Sequence, residues 1–270
     1  MKYVIIIAAF FAFATPAFGY SANKLSIRLL CIKHSREHMA DGDADLAIKA
    51  AKNAASKGLD IKLIGNHFVD GKFMGEDYIH RVNSVETLTA YVKKYAKVDA
   101  NPGDTLIVFT IGHGMPSGDL DKLGQRSGVM KILASIAEEN NQKMFWWQLS
   151  CHACAKLPAL DSLTEKQQDL FSMFASSSAS ETSAAYVQGK IMEKIFMTMA
   201  ENMPKIDTNN DEKISASELR TFMNTINPAY GSRVFAKEDK PIFGKPGVPW
   251  LPIVDRNNPQ GKYEEGYVFP

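Results

Sequence analysis

Two residues of this chain have the types and settings for nucleophilic chemistry on a carbonyl. His113 stands between two glycines at the end of the apolar stretch 105–114 (TLIVFTIGHG), and Cys151 follows Ser150 just past a second apolar run, 144–149 (MFWWQL). A thiol attacks a peptide carbonyl as thiolate, and a neighbouring imidazole takes its proton and later returns it to the leaving amine. Gly114 has no side chain to obstruct a substrate, so its N–H, with that of Cys151, could form an oxyanion hole. Taken alone, such a histidine would be read as a surface loop residue and such a cysteine as a small buried one. Both stand at equivalent strand ends, which makes them a candidate pair.

The elements that must position them read as alternating strands and helices. Apolar runs bounded by turn signals suit strands of a parallel sheet covered on both faces, and ligands of such sheets sit beyond the carboxyl ends of the strands. Residues 25–32 (LSIRLLCI) predict a first strand, followed by a polar loop holding His34, Arg36 and His38. A helix capped by Asp43 or Asp45 runs to Lys57-Gly58, and residues 59–64 form a short second strand. Residues 65–81 read as an irregular loop with His67 and His80 facing solvent, and Ser84 caps a helix carrying Val85, Leu88, Tyr91, Val92 and Tyr95. Residues 118–128 read as a glycine-rich polar loop, 129–139 as a helix, and 170–175 as an apolar run ending in the small polar loop 176–183. Met192, Ile195, Phe196 and Met199 mark a further helix, and the proline-rich tail from Asn227 is expected to be mostly extended, with a possible edge strand at 247–254. The pattern predicts a doubly wound, mostly parallel α/β sheet.

Composition excludes several functions. The chain has 270 residues with 31 basic and 30 acidic side chains, which gives no electrostatic argument for nucleic acid or an anionic membrane. Residues 1–19 have the layout of a secretory signal peptide: Lys2, an apolar stretch too short to span a bilayer comfortably, then small residues. The expectation is an exported protein, periplasmic or extracellular, with no membrane attachment after signal removal, a retained anchor being the alternative reading of residues 1–19. Export would put Cys31, Cys151 and Cys154 in an oxidising compartment, where an odd count leaves at least one thiol unpaired within the chain.

Over roughly residues 25–225 the chain resembles the caspase-like cysteine peptidases, including metacaspases and legumains. The resemblance is carried by Pro102-Gly103-Asp104-Thr105-Leu106 leading into Gly112-His113-Gly114, and by a strand ending in Ser150-Cys151-His152-Ala153. It implies a caspase-like three-layer fold, a twisted sheet with helices on both faces, with His113 as base and Cys151 as nucleophile. It also implies a protein or peptide substrate and no organic cofactor. The segment 175–186 (ASSSASETSAAY) is similar to the family's substrate-pocket strand and loop, which makes Ser177, Ser178 and Glu181 pocket candidates. Arg36 lies where caspases and legumains place a pocket arginine, and Leu149 replaces the acidic residue metacaspases carry two before the cysteine. An arginine unopposed by a carboxylate predicts Asp or Asn before the cut, unless Glu181 turns inward and neutralises Arg36. Ala153-Cys154 also departs from the family's usual residues after the nucleophile.

Two other readings compete. One is a catalytically inactive caspase-like binding protein. The other is a thioredoxin-like oxidoreductase using Cys151-x-x-Cys154, preceded by Phe145-Trp146-Trp147 and followed by Pro158. Against the latter, that motif normally follows the first strands of a small domain.

A last motif, Asp207 to Glu218, fits the calcium-loop pattern with Asp207, Asn209, Asp211 and Glu218 as side-chain ligands and Lys213 contributing its carbonyl. Such a loop recurs in bacterial members of the resembled family. Glu212 takes the position where the pattern needs glycine for a sharp turn. The expected organisation is a signal peptide at 1–19, a peptidase domain at 20–203, the calcium loop and exit helix at 204–226, and a tail at 227–270 packed on the domain. Oligomeric state is not legible.

Overall fold

The computed structural model describes residues 25–34, 39–64, 68–69, 72–73, 79–98, 100–101, 103–157, 160–183, 187–237 and 240–243. Residues 1–19, read as a signal peptide, Arg36, His38, His67, Pro158 and the tail segment 247–254 lie outside them.

In chain order the elements are β1 (Ser26–Lys33), α1 (Met39–Ser56), β2 (Asp60–Leu63), β3 (Phe68–Val69), β4 (Lys72–Phe73), β5 (Ile79–Arg81), α2 (Val85–Ala96) and β6 (Thr105–Ile111). They continue with β7 (Asp119–Leu120), β8 (Gly124–Gln125), α3 (Arg126–Glu139), β9 (Lys143–Leu149), α4 (Glu165–Leu170), β10 (Phe171–Ala175) and α5 (Val187–Glu201). Last come β11 (Ile214–Ser215), α6 (Ala216–Ile226), β12 (Val234–Phe235) and β13 (Pro241–Phe243), with short 3-10 turns at Leu160–Ser162, Met203–Lys205 and Gly231–Arg233.

The central sheet has the order β12-β10-β9-β6-β1-β2, with β5 pairing β1 beyond β2, and every pair is parallel except β10 with β12. The three-layer α/β arrangement expected from the sequence is present. From β1 the chain moves outward to β2, then returns to add β6 on the other side of β1. That reversal falls between β1 and β6, and the carboxyl ends of strands at such a switch point are where sheets of this kind commonly hold their chemistry.

Alternation along the strands builds two cores. Ile27, Leu29 and Cys31, Ile107, Phe109 and Ile111, and Phe145, Trp147 and Leu149 pack with residues of α1, α5 and α6. Leu30 and Ile32, Leu106 and Val108, and Met144 and Trp146 point the other way, onto α2 and α3. The indole N–H groups of Trp146 and Trp147 are satisfied, Trp146 Nε1 by Thr110 Oγ1 at 2.8 Å and Trp147 Nε1 by Gln188 Oε1 at 3.3 Å. Arg28, wholly buried inside β1, caps the end of α2 by donating to Val98 O at 2.7 Å and Ala96 O at 3.1 Å, and its Nε lies 3.6 Å from Asp104. A cation at a helix carboxyl end explains why a strand this apolar tolerates it.

Several expectations change. The first helix starts at Met39, so Asp43 lies inside it, and Asp43 Oδ1 instead accepts from Gly189 N at 2.8 Å. A Cβ on Gly189 would sit 2.5 Å from Leu46 Cβ, so α1 and α5 pack closer than a side chain would allow. His80 is buried, not solvent-facing: β5 extends the sheet, and the ring packs on Tyr91 and Tyr95 at centroid distances of 5.2 Å and 4.9 Å. The polar loop 118–128 contains the β7–β8 hairpin, and α3 begins at Arg126. The tail contributes β12 to the sheet edge and β13 to β11.

Candidate active site

The ladder between β6 and β9 runs in register to Ile111 opposite Leu149, and Gly112 N then donates to Leu149 O at 3.1 Å. His113 and Cys151, each two residues beyond that last pair, therefore leave the sheet side by side, and both are half-buried. Gly114 closes the approach: a Cβ on it would lie 2.1 Å from Cys151 O and 2.8 Å from Ser150 Oγ. Only a residue without a side chain lets the His-Gly backbone lie this close to the cysteine's. The hairpin after Gly114 fixes this geometry, with Asp121 N donating to His113 O at 3.0 Å and Met115 N to Asp119 O at 2.9 Å.

The cysteine's turn is gripped by the serine loop after β10. Ser176 Oγ and Ser177 Oγ donate to Ser150 O at 3.0 Å and 2.9 Å, Ser150 N donates to Ser176 Oγ, and Ala153 N donates to Ser177 Oγ at 2.9 Å. Cys154 N reaches Ser177 O at 3.2 Å, and His152, held at φ +51°, donates its N–H to Glu181 O at 2.8 Å. A non-glycine residue at positive φ costs about 1 kcal/mol or more, and here the surrounding bonds hold it.

The pocket candidates are distributed unevenly. Ser177 is buried with its hydroxyl on the cysteine's turn, and Ser178 is half-buried with its hydroxyl 3.3 Å from that of Ser180. Leu149 is buried in the core on the α1 and α5 face. Glu181 does not stand open: its Oε2 accepts from Ser178 N at 3.0 Å and from Arg233 Nη2 at 2.8 Å, and Arg233 Nη1 also donates to Ser176 O at 2.9 Å. Arg233 is a buried clamp on this loop supplied from more than fifty residues away, and nothing in its sequence setting marks it.

His34, read from the sequence as part of a polar loop, is instead buried at the end of β1. Its N–H donates to Ile111 O at 2.9 Å, its ring lies on Gly112, and Nδ1 lies 2.8 Å from Asp121 O. Burial pushes its pKa down to about 4, against the pull of the Asp121 carbonyl, so the ring is neutral near pH 7 and Nδ1–H is the donor. Nε2 is buried without a hydrogen-bond partner among the described residues.

The acidic loop after α5 is closed by its own carboxylates, which accept from backbone N–H groups within it. Asp207 accepts from Asp211 N at 3.1 Å and Glu212 N at 2.8 Å, and Glu212 makes the sharp turn at φ +64° in place of glycine. Glu218 Oε1 accepts from Thr208 N and Asn209 N, while Oε2 and Ser215 form a reciprocal cap on α6. Ile214 is bridged by Phe243 of β13. The donors are hard oxygens of the kind calcium takes, yet among the described residues no group of three or more His, Cys, Asp or Glu side chains stands together as a metal site. No helix among the described residues is long and apolar enough to cross a membrane.

No protein-family model and no curated protein matches the chain. Among solved structures, the chain is similar to caspase-1 from Spodoptera frugiperda, with 12% identity, a TM-score of 0.42, and coverage of 84% of this chain and 91% of that one. It is also similar to a secreted C11 cysteine protease from Bacteroides thetaiotaomicron, with 9% identity, a TM-score of 0.32, and coverage of 58% of this chain and 53% of that one, about half its length.

Proposed function

We propose that the protein is a cysteine endopeptidase in which His113 and Cys151 form the catalytic dyad. The observation that carries this reading is the contact of Gly114 with the Cys151 backbone, tighter than any side chain would permit, which brings the His-Gly and cysteine ends of two adjacent parallel strands together. In this reading His113 takes the thiol proton, the Cys151 sulfur attacks the scissile carbonyl, and the N–H groups of Gly114 and Cys151 receive the oxyanion. Collapse of the intermediate breaks the C–N bond as His113 protonates the amine, and water then hydrolyses the thioester.

The Cys-x-x-Cys segment gives less support to a thioredoxin-like role. Cys151 to Lys156 form successive turns, whereas a helix amino terminus is a common device for activating such a thiol.

Specificity and regulation extend the proposal. With Glu181 engaged by Arg233, it is not available to neutralise Arg36, which favours Asp or Asn before the cut. Calcium held by Asp207, Asn209, Asp211, Glu218 and the Lys213 carbonyl would stabilise the segment joining α5 to α6. Export through residues 1–19 suits a peptidase acting outside the cytoplasm. A positional library of fluorogenic peptides tests activity and specificity together: cleavage after Asp or Asn that vanishes in Cys151→Ala is expected, and selection of Arg or Lys would overturn the specificity.

A further inference from the structure

Arg126 is the first residue of α3 and is wholly buried, yet it has little to neutralise it. Nη1 donates to Ala155 O at 2.7 Å, and among the described residues Nε and Nη2 have no hydrogen-bond partner. Burial pulls its pKa down to about 10, against the opposing pull of Cys154 and Asp119, so it remains a cation near neutral pH. A buried charge with idle donors is costly and is kept where its field is used. The guanidinium lies against the cysteine's turn: the point where a Gly114 Cβ would lie is 2.8 Å from Arg126 Nη2 and 2.1 Å from the Cys151 backbone oxygen. Gln148 Nε2 donates to Ser150 Oγ at 2.7 Å, which completes a buried polar layer beneath the cysteine's turn.

We propose that Arg126 is a positioning residue for the reaction: it tethers the Cys151–Lys156 turn through the Ala155 carbonyl and supplies, from behind Gly114, the fixed positive charge that stabilises the anionic Cys151 sulfur. The inference rests on Cys151 being the nucleophile. Asp119, the nearby acidic group that opposes the guanidinium, is half-buried, with its carboxylate accepting from Ser117 Oγ at 2.6 Å. It therefore damps the field at Cys151.

The test is the second-order rate of Cys151 alkylation by iodoacetamide near neutral pH, with the modified residue mapped by mass spectrometry. Arg126→Met should slow alkylation about tenfold or more, and Arg126→Lys, which keeps the charge but not the planar fork, should recover to within about threefold of wild type. Asp119→Asn should accelerate it about twofold to threefold without disturbing the core, which keeps the proposal open to refutation should Arg126→Met not fold. Wild-type rates in Arg126→Met, a lysine variant as slow as methionine, or an unchanged rate in Asp119→Asn would each overturn the charge role. Alkylation needs no peptide cleavage. A chain whose Cys151 depends on Arg126 yet cleaves no peptide refutes the peptidase reading alone, and an active peptidase indifferent to Arg126 refutes this inference alone.

Discussion

Acid should unfold this protein in part through one histidine. His34 is buried at the tip of β1 with a pKa near 4, against 6.5 for the free side chain. Its folded pKa is depressed, so the unfolded chain binds a proton that the native state refuses. The stability His34 contributes is complete above about pH 6.5 and is lost progressively as pH falls toward 4. Integrated from neutral pH to about pH 4.5, the difference is about 2.5 kcal/mol. The groups acting on the ring are the Asp121 carbonyl and carboxylate, which favour the proton, and His113 and Arg126, which oppose it. Urea denaturation at both pH values, in wild type and His34→Gln, isolates the effect, because glutamine can donate to Asp121 O without titrating. Carboxylates elsewhere are common to both proteins and cancel. Wild type should lose about 2.5 kcal/mol more than the variant. Equal losses would mean that His34 is hydrated or protonated in the folded state, and the reasoning from burial would fail.

Other outcomes follow from the site. Gly114→Ala forces a methyl onto Cys151 O and should cut peptide cleavage by about a hundredfold while costing about 1–3 kcal/mol of stability; near-wild-type kcat would show that the contact is dispensable. Ser177→Ala removes the acceptor for Ala153 N and a donor to Ser150 O, at a cost of about 1–3 kcal/mol in chemical denaturation. Arg233→Met leaves the Glu181 carboxylate without its cation and should lower stability by about 3 kcal/mol, with Arg233→Met/Glu181→Gln recovering part of it. Calcium should raise the melting temperature and release heat in calorimetry, and Asp207→Ala should abolish both; no response to calcium would remove the metal from the proposal.

The strands that carry His113 and Cys151 at their ends were legible because β6 is buried throughout and β9 from Met144 onward, and a strand covered on both faces writes itself as a mostly apolar run. Helix starts were less legible. Asp43 has the right type for a cap, but its carboxylate serves Gly189 on another helix, a tertiary choice no local rule contains. β12 and β13 span two and three residues, too short for any period, and exist because β10 and β11 offer them edges. The proposed pair, His113 and Cys151, could be read from residue types at strand ends. Its supports could not: Arg126 in a glycine-rich polar stretch and Arg233 in the tail look like solvated cations, and only the folded chain buries them. The serine loop was visible as a run of small polar residues, but its grip on the cysteine's turn depends on β10 lying beside β9.

If Cys151 is a peptidase nucleophile activated by His113, covalent labelling with a peptidyl acyloxymethyl ketone, followed by mapping of the modified residue, will reveal it. The expected product is a single thioether at Cys151, lost in Cys151→Ala, strongly slowed in His113→Ala, and largely kept in Cys154→Ala. Labelling at Cys154, or no labelling and no cleavage in a protein that exchanges disulfides through both cysteines, would contradict it.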